Sequence, residues 1–374
     1  MNVILIFTYG ISLKTWKETG LLKRELKIYE LLNKNYNVEF TFLTFGDSDD
    51  LEIVKDYKFI NVIPAKTIIN FSKNRYIGFL SSFLLPFKIK KNLKNIDLIK
   101  TNQLNGAWIG IILKLILNKP LIIRTGYDAL QFKIYEKKSK ITILFYYLLT
   151  QISLIAADMF TVTSLADEFS FKKRFYFTKK LRFHPNYILE TSNKPFEERY
   201  RNKILSVGRL EYQKNYLQLI KSLNNSNIVL DLVGEGSLKK SLESEASISS
   251  VKVNFLGNLS HDELLGIYKN YKIFISSSFF EGNPKAVLEA MSSGTLVVSY
   301  ENNNIKFLLN HDVDSILFND FSELKKIINN IFDDEKKYLE LVENSYKKIN
   351  NTYHINVVLK KEYAFYKELS KNSN

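Results

Sequence analysis

The stretch Phe279 to Ala290, Phe-Phe-Glu-Gly-Asn-Pro-Lys-Ala-Val-Leu-Glu-Ala, follows the apolar run Lys272-Ile273-Phe274-Ile275-Ser276-Ser277. The run reads as a buried strand, and Ala286 to Met291 reads as a helix. Pro284 suits the first helical position, because the helix would leave that N–H unpaired anyway. The segment is therefore strand, tight turn and helix start, with Glu281 in the turn and Glu289 inside the helix. Backbone N–H groups and the dipole at such a helix start make an anion site. Carboxylates repel phosphate, so the natural partners of Glu281 and Glu289 are hydroxyls. Anion site and hydroxyl acceptors together suit a ligand that carries both phosphate and sugar. Two glutamates eight positions apart also occur on ordinary solvated helices, so the rest of the chain has to decide.

Working outward, the strand–turn–helix unit recurs. In the first half Asn2–Thr8, Asn37–Thr44, Phe59–Ile63, Asp97–Thr101, Leu121–Arg124 and Met159–Thr163 read as strands. Leu21–Leu32, Ile77–Leu93, Ala107–Leu117, Ile141–Ala156 and Leu165–Phe175 read as helices between them. The second half repeats the alternation from Lys203–Val207 to Ser315–Leu317, with Ser260-His261-Asp262-Glu263 as a capping box that gives His261 no chemistry. Alternating strands and helices imply right-handed crossovers and parallel sheets. The expected fold class is α/β: two Rossmann-like domains facing a cleft, residues 1–190 and 200–350, and a helical C-terminal tail, 351–374, packing back toward the first. Arg182 to Arg201, with Pro185, Pro195 and the polar run Glu190–Lys194, reads as the linker.

Composition narrows the chemistry. The 374 residues suit two domains, and 45% hydrophobic with 25% charged content is ordinary for a globular chain. With no cysteine, disulfides, thiolate metal sites and a cysteine nucleophile are excluded. Four histidines, at 184, 261, 311 and 354, have no metal-ligand spacing. The formal charge of +14 favours acidic partners. The opening Met1–Phe7 lacks a basic leader and reads as a first buried strand. Ile141 to Ala157 carries no charge but falls short of the roughly 20 residues of a spanning helix, and reads as a buried helix.

Three further strand ends in the second half carry polar groups. Ser206-Val207-Gly208-Arg209-Leu210 ends one strand and Gln213-Lys214-Asn215 opens the next helix. Arg binds phosphate as a fork and Lys as a point charge. Val233-Gly234-Glu235-Gly236 permits a sharp turn, and Phe255-Leu256-Gly257-Asn258 exposes backbone where a base edge would lie. These runs and Glu281–Glu289, in this order, resemble the donor domain of the family-4 retaining glycosyltransferases, which have the GT-B fold. The resemblance spans about 100 residues and rests on four motifs, each at a strand end. It implies that Arg209 and Lys214 hold the donor diphosphate, with Gly208 and Gly234 in the cradling turns. It also implies that Glu281 accepts from hydroxyls of the transferred sugar and Glu289 from the ribose. Gly282, Asn283, Pro284 and Lys285, at the helix start, would help hold phosphate, and Leu256 and Asn258 would face the base. The implied function is retaining transfer from a nucleotide-sugar, UDP- or GDP-linked, to a glycan or polyprenyl-linked acceptor in surface polysaccharide, lipopolysaccharide or capsule synthesis. No cofactor or metal is expected.

The first half matches less fully. Such enzymes have a glycine pair after the first strand; here Gly20, read as opening a helix, is the candidate for the phosphate-proximal backbone. In place of the family's His near the fourth or fifth strand stands Arg124-Thr125-Gly126-Tyr127-Asp128, which makes Arg124 and Asp128 the substitute sugar contacts. A helix cap is the equal alternative for Asp128. Two rival readings remain. Asp47-Ser48-Asp49 resembles the metal site of the other glycosyltransferase fold, although Asp312-Val313-Asp314 shares the spacing and acidic residues cluster in ordinary turns. Lys172 to Lys180 interleaves bases with aromatics, as in single-strand nucleic-acid binders, but nothing else resembles such a module, so nucleic acid is not an expected partner. The apolar Ile77–Phe87 is followed at once by Lys88, Lys90, Lys91 and Lys94, Phe171–Arg182 carries six bases among aromatics, and the uncharged Ile141–Ala157 could present an apolar edge. This pattern implies an anionic membrane surface as partner and a cytoplasmic protein held peripherally on the inner face of the membrane.

Overall fold

Runs rich in Ile, Leu, Val and Phe with no polar face form strands buried on both sides, which is the parallel-sheet pattern. The computed structural model describes residues 1–93, 95–189 and 193–371. Lys94, and residues 190–192 of the expected linker, lie outside the described residues. The chain divides into two compact units: Met1–His184 together with the stretch from Leu359 onward, and Pro185–Val358.

The first unit holds β1 (Asn2–Ile6), β2 (Glu39–Thr44), β3 (Ile60–Pro64), β4 (Leu98–Thr101), β5 (Leu121–Thr125), β6 (Met159–Val162) and β7 (Leu181–Phe183). They form one sheet in the order β3-β2-β1-β4-β5-β6-β7, with every adjacent pair parallel. Six of these strands lie where the sequence puts them. β7 falls where the linker was expected to start, because three residues are too short a run to show periodicity.

The expected helix Ile77–Leu93 is broken. It becomes Arg75–Ser81, a 3-10 turn at Ser82–Leu84, Leu85–Ile89 and a second 3-10 turn at Lys90–Asn92. Pro86 explains the restart, since it has no N–H to continue the ladder and fits the first turn of the new segment. The helix Lys140–Ala156 is also not the buried helix expected. It buries Leu149, Thr150, Ser153 and Leu154 and leaves its other side to solvent.

The C-terminal helix Ile355–Lys371 places Leu359, Tyr366 and Leu369 in the core that underlies β1 and β2, and Tyr363 stacks on Tyr36 with centroids 3.9 Å apart. Its Glu362 is fully buried between Lys100 of β4, to which it is hydrogen-bonded, and His184, whose Nε2 lies 3.0 Å away. Burial alone would raise the Glu362 carboxyl; the Lys100 and His184 charges, together with hydrogen bonds from Lys100 and Tyr366, outweigh it and hold it at about 2.

The second unit holds β8 (Tyr200–Val207), β9 (Val229–Val233), β10 (Val253–Phe255), β11 (Tyr271–Ser276), β12 (Leu296–Tyr300) and β13 (Ile316–Phe318). The order is β10-β9-β8-β11-β12-β13, again all parallel. This is the doubly wound order, in which the direction of winding reverses between β8 and β11. Ile204 and Leu205 pair in register with Ile273 and Phe274, so the carboxyl ends of those two strands lie side by side.

Candidate active site

In open parallel sheets ligands bind beyond the strand carboxyl ends, where the winding reverses. In the second unit that place lies between the loops after β8 and β11. The first loop carries Gly208, Arg209 and a 3-10 turn, Tyr212–Lys214; the second carries Ser277 to Pro284. Asn215 takes a left-handed conformation, φ 54°, and turns the chain into the helix Tyr216–Ser222.

Glycine is required here by crowding. A Cβ on Gly208 would lie 2.7 Å from Cε of Lys214, and one on Gly234 (φ +134°) would lie 2.1 Å from the Gly208 carbonyl oxygen. The strand ends are tied laterally: Gly208 N–H donates to Val233 O at 2.9 Å, and Gly234 N–H to Gly257 O at 2.8 Å. Gly208, Gly234 and the Leu256–Asn258 turn thus form one ledge over β8, β9 and β10. Leu256 and Asn258 are exposed on it.

Across the reversal Lys214 meets Glu281. Lys214 Nζ lies 2.5 Å from Glu281 Oε1, and the Ser278 hydroxyl donates to the same oxygen at 2.6 Å. The carboxylate side chain is 9% exposed and the lysine 19%. The two loops are also stitched through their backbones. Ser277 Oγ donates to Lys214 O at 2.7 Å, Phe279 N–H to Gln213 O at 3.0 Å, and Gln213 Nε2 to Phe280 O at 2.8 Å. Asn304 donates to Glu281 O, and Asn302 to Ser278 O at 3.1 Å. Neither asparagine was expected in the site. The signal was the Asn302-Asn303-Asn304 run one residue past the end of β12, one more polar strand end.

Arg209 is exposed on the same loop as Lys214. Beside it the backbone N–H and hydroxyl of Ser237, with help from the Arg209 charge, hold the Glu211 carboxyl below its usual range. The helix begins at Lys285 and runs to Ser292, so Pro284 is its cap and not its first residue; Pro284 O accepts from Val287 N–H at 3.0 Å. Gly282 is buried, and Asn283 and Lys285 are half-buried beside it.

Glu289 lies past the first helical turn and is buried. Tyr268 Oη donates to its Oε2 at 3.2 Å, and His261 Nδ1 stands 3.8 Å from Oε1. Burial and then the Glu289 charge push the Tyr268 phenol well above its ordinary value, so it stays a donor. His261 is in the capping box as expected, yet the tertiary fold gives it a carboxylate neighbour that its sequence position does not show.

The residues singled out in the first half belong to the other unit. Gly20 (φ +70°) does not sit in the loop after β1. A short helix, Leu13–Glu18, intervenes, and Gly10 (φ +82°) occupies that loop instead. Arg124 Nη1 donates to Asn102 O at 3.2 Å. Asp128 is a cap and an ion-pair partner rather than an open carboxylate. Its Oδ1 accepts from Gln131 N–H at 2.9 Å and its Oδ2 from Arg174 at 2.7 Å. Asp49 pairs with Lys14 at 2.8 Å, and Asp47 Oδ1 accepts from Asp49 N–H at 3.1 Å, as in an ordinary surface turn.

This pair of doubly wound units is the GT-B glycosyltransferase fold. Residues 189–348, which hold the Lys214–Glu281 pair and Glu289, match the family model "Glycosyl transferases group 1". Among solved structures, the chain is similar over 99% of its length to sucrose-phosphate synthase from Thermosynechococcus elongatus (TM-score 0.79, 18% identity, 99% of that chain). It is likewise similar to Anabaena HepE in complex with UDP and glucose (TM-score 0.75, 16% identity, 99% of this chain and 100% of that one). It is 25% identical over 206 residues, 53% of this chain and 56% of the relative, to a Campylobacter jejuni protein. That relative's name is GalNAc-alpha-(1->4)-GalNAc-alpha-(1->3)-diNAcBac-PP-undecaprenol alpha-1,4-N-acetyl-D-galactosaminyltransferase. An uncharacterized glycosyltransferase of Methanocaldococcus jannaschii is 28% identical over 256 residues, 58% of this chain and 60% of the relative. The chain thus spans little more than half the length of these curated relatives.

Proposed function

We propose that this protein is a retaining glycosyltransferase that moves a sugar from a nucleotide-sugar to a glycan or lipid-linked acceptor without a metal. The observation that carries the reading is the Lys214–Glu281 pair at the winding reversal, inside the region that matches the family model. When the donor bond breaks, negative charge develops on the departing diphosphate. Lys214, Arg209 and the first turn of the helix Lys285–Ser292 supply positive charge where that develops. Glu281, held by Lys214 and Ser278, accepts hydrogen bonds from hydroxyls of the transferred sugar, and Glu289, steadied by Tyr268, accepts from the ribose. The acceptor hydroxyl attacks the anomeric carbon from the face the diphosphate leaves, and its proton passes to a diphosphate oxygen. The C–O bond to the acceptor forms as the bond to phosphate breaks, so no protein nucleophile is needed.

The UDP and glucose bound by HepE favour a uridine donor, and the undecaprenol-linked acceptor in the Campylobacter relative's name favours a lipid-linked acceptor, hence work at the inner face of the membrane. Among the described residues no helix is long and apolar enough to cross a membrane, so attachment would be peripheral. The test is a panel of UDP- and GDP-sugars, scored for nucleoside diphosphate release. Arg209→Ala and Lys214→Ala should each lower turnover by about 10²–10³, the usual loss for one preorganised donor. Release by both variants at the normal rate would refute the assignment.

A further inference from the structure

The helix Lys140–Ala156 is apolar on both sides: Ile143, Tyr146, Tyr147, Leu149 and Leu154 pack on the core. Its inward side buries Thr150 and Ser153 among leucines, while Ile141, Leu144, Phe145, Leu148, Ile152 and Ile155 form one outward stripe. Their spacing follows the helical repeat, and the stripe runs about 21 Å at 1.5 Å per residue. Ile141 is 81% exposed. A surface helix of a soluble protein normally carries polar residues on its outward side.

Two other apolar elements join it. Phe79 packs edge-on against Phe145, with centroids 5.9 Å apart, so the segment Arg75–Ile89 lies beside this helix. That segment turns out Tyr76 (80% exposed), Ile77, Leu80, Leu84 and Phe87. At the other end Gln151 grips the backbone of Tyr176 twice, donating to its carbonyl and accepting from its N–H, both at 3.0 Å. This holds Tyr176 and Phe177 out in solvent, 71% and 68% exposed, with Phe177 at φ 61°. The left-handed conformation is costly for a residue with a side chain, so the loop carries an exposed aromatic ring against its backbone preference. An exposed apolar surface of this extent marks an interaction face.

Charge selects the partner. Exposed bases edge the patch: Lys137, Lys138 and Lys140 at the start of the stripe, Lys88, Lys90 and Lys91 past Phe87, and Lys173 and Lys179 beside the Tyr176–Phe177 loop. A second copy of the chain would oppose this rim with the same positive charge. An anionic bilayer would attract the rim and accept the apolar centre. We infer that this face of the first unit seats on an anionic lipid surface, with the stripe and the Tyr176–Phe177 tip entering the headgroup–acyl boundary and the lysines on phosphates. The inference deepens the membrane partner proposed above and rests on that reading.

The test uses the full chain and vesicles of phosphatidylcholine, alone or with phosphatidylglycerol. The wild type should sediment with the anionic vesicles and keep part of its binding at high salt, because insertion is not screened. Ile141→Ser/Leu148→Ser/Ile152→Ser should lower partitioning about a hundredfold, at about fivefold per half-inserted side chain. Phe177→Gly removes a ring and relieves the backbone, so it should fold at least as well and still lose about fivefold. Lys137→Gln/Lys138→Gln/Lys140→Gln should lose about fivefold per charge at low salt and little at high salt.

Failure of the wild type to bind anionic vesicles at low salt overturns the inference, as does undiminished binding by the stripe variant. A stripe variant that loses self-association in sedimentation velocity while keeping its vesicle binding would make the face a contact between copies, and overturns it too. UDP release from soluble UDP-sugars is followed in the same samples. Hydrolysis without vesicle binding refutes the docking alone; vesicle binding without hydrolysis of any donor refutes the transfer reading alone.

Discussion

Removing Lys214 has two separable effects. In Lys214→Ala the Glu281 carboxylate keeps only the Ser278 hydroxyl at 2.6 Å on an oxygen that held the ammonium at 2.5 Å. Breaking a buried pair from one side costs about 3–5 kcal/mol, and the 19% exposure of Lys214 argues for the low end, about 3 kcal/mol. In a unit of this size that corresponds to a melting point roughly 6–12 °C lower. Lys214→Ala/Glu281→Gln removes the stranded charge along with its partner. Its loss should be only about 1 kcal/mol, the worth of ordinary hydrogen bonds. Stability should therefore recover in the double variant. Turnover should not, because the positive charge for the leaving diphosphate is still missing, at about 10²–10³ in rate. The assay is calorimetric melting of all four members of the cycle beside diphosphate release from the best donor. If the double variant regains turnover together with stability, the pair is a structural tie and the proposed role for Lys214 is wrong.

Transfer should proceed at full rate in EDTA, because the positive charge at the leaving group comes from the protein. Complete inhibition, reversed by manganese or magnesium, would contradict this. Tyr268→Phe removes the phenol that steadies Glu289 at 3.2 Å, and should weaken nucleoside diphosphate binding by roughly tenfold with little change in turnover at saturation, as for loss of one hydrogen bond to a charged group. Calorimetric titration checks it, and unchanged affinity would detach Tyr268 from the site. Burial, and then the neighbouring Asp128 charge, raise the Asp167 carboxyl to about 7 from an ordinary 3.8. The folded chain thus holds a proton that the unfolded chain releases, and the stability this group contributes below pH 3.8 is lost as pH rises through 7. Asp167→Asn should therefore raise the melting point at pH 8 more than at pH 5, the two effects differing by at most about 3 kcal/mol at about 1.4 kcal/mol per pH unit between pH 5 and the raised value of about 7. Equal shifts at the two pH values would contradict the buried-acid assignment.

The sequence by itself determined the two parallel sheets and the strand ends that carry the candidate site. Apolar runs such as Ile273–Ser276 are buried on both faces in any parallel sheet, so their hydrophobicity is legible without a partner strand. Loops such as Gly208–Leu210 and Glu281–Pro284 show their turn chemistry locally, and the winding rule then places them at one end of the sheet. What depends on residues far apart in the chain was decided only by the tertiary structure. The match of Lys214 to Glu281, of His261 and Tyr268 to Glu289, and of Asn302 and Asn304 to the Glu281 turn comes from bringing separate strand ends together. Asp128 shows the same limit: its cap on Gln131 is local and was weighed from sequence, but its pairing with Arg174 is not. The helix Lys140–Ala156 shows it most plainly. Hydrophobicity fixed that it is a helix with no charge to place in water after Lys140, but which side faces inward depends on the neighbours it meets. Packing set Ile143, Tyr146, Tyr147, Leu149 and Leu154 on the core beside Thr150 and Ser153 and left Ile141, Leu144, Phe145, Leu148, Ile152 and Ile155 outside, a choice invisible in the periodicity, because apolar residues lie on both faces.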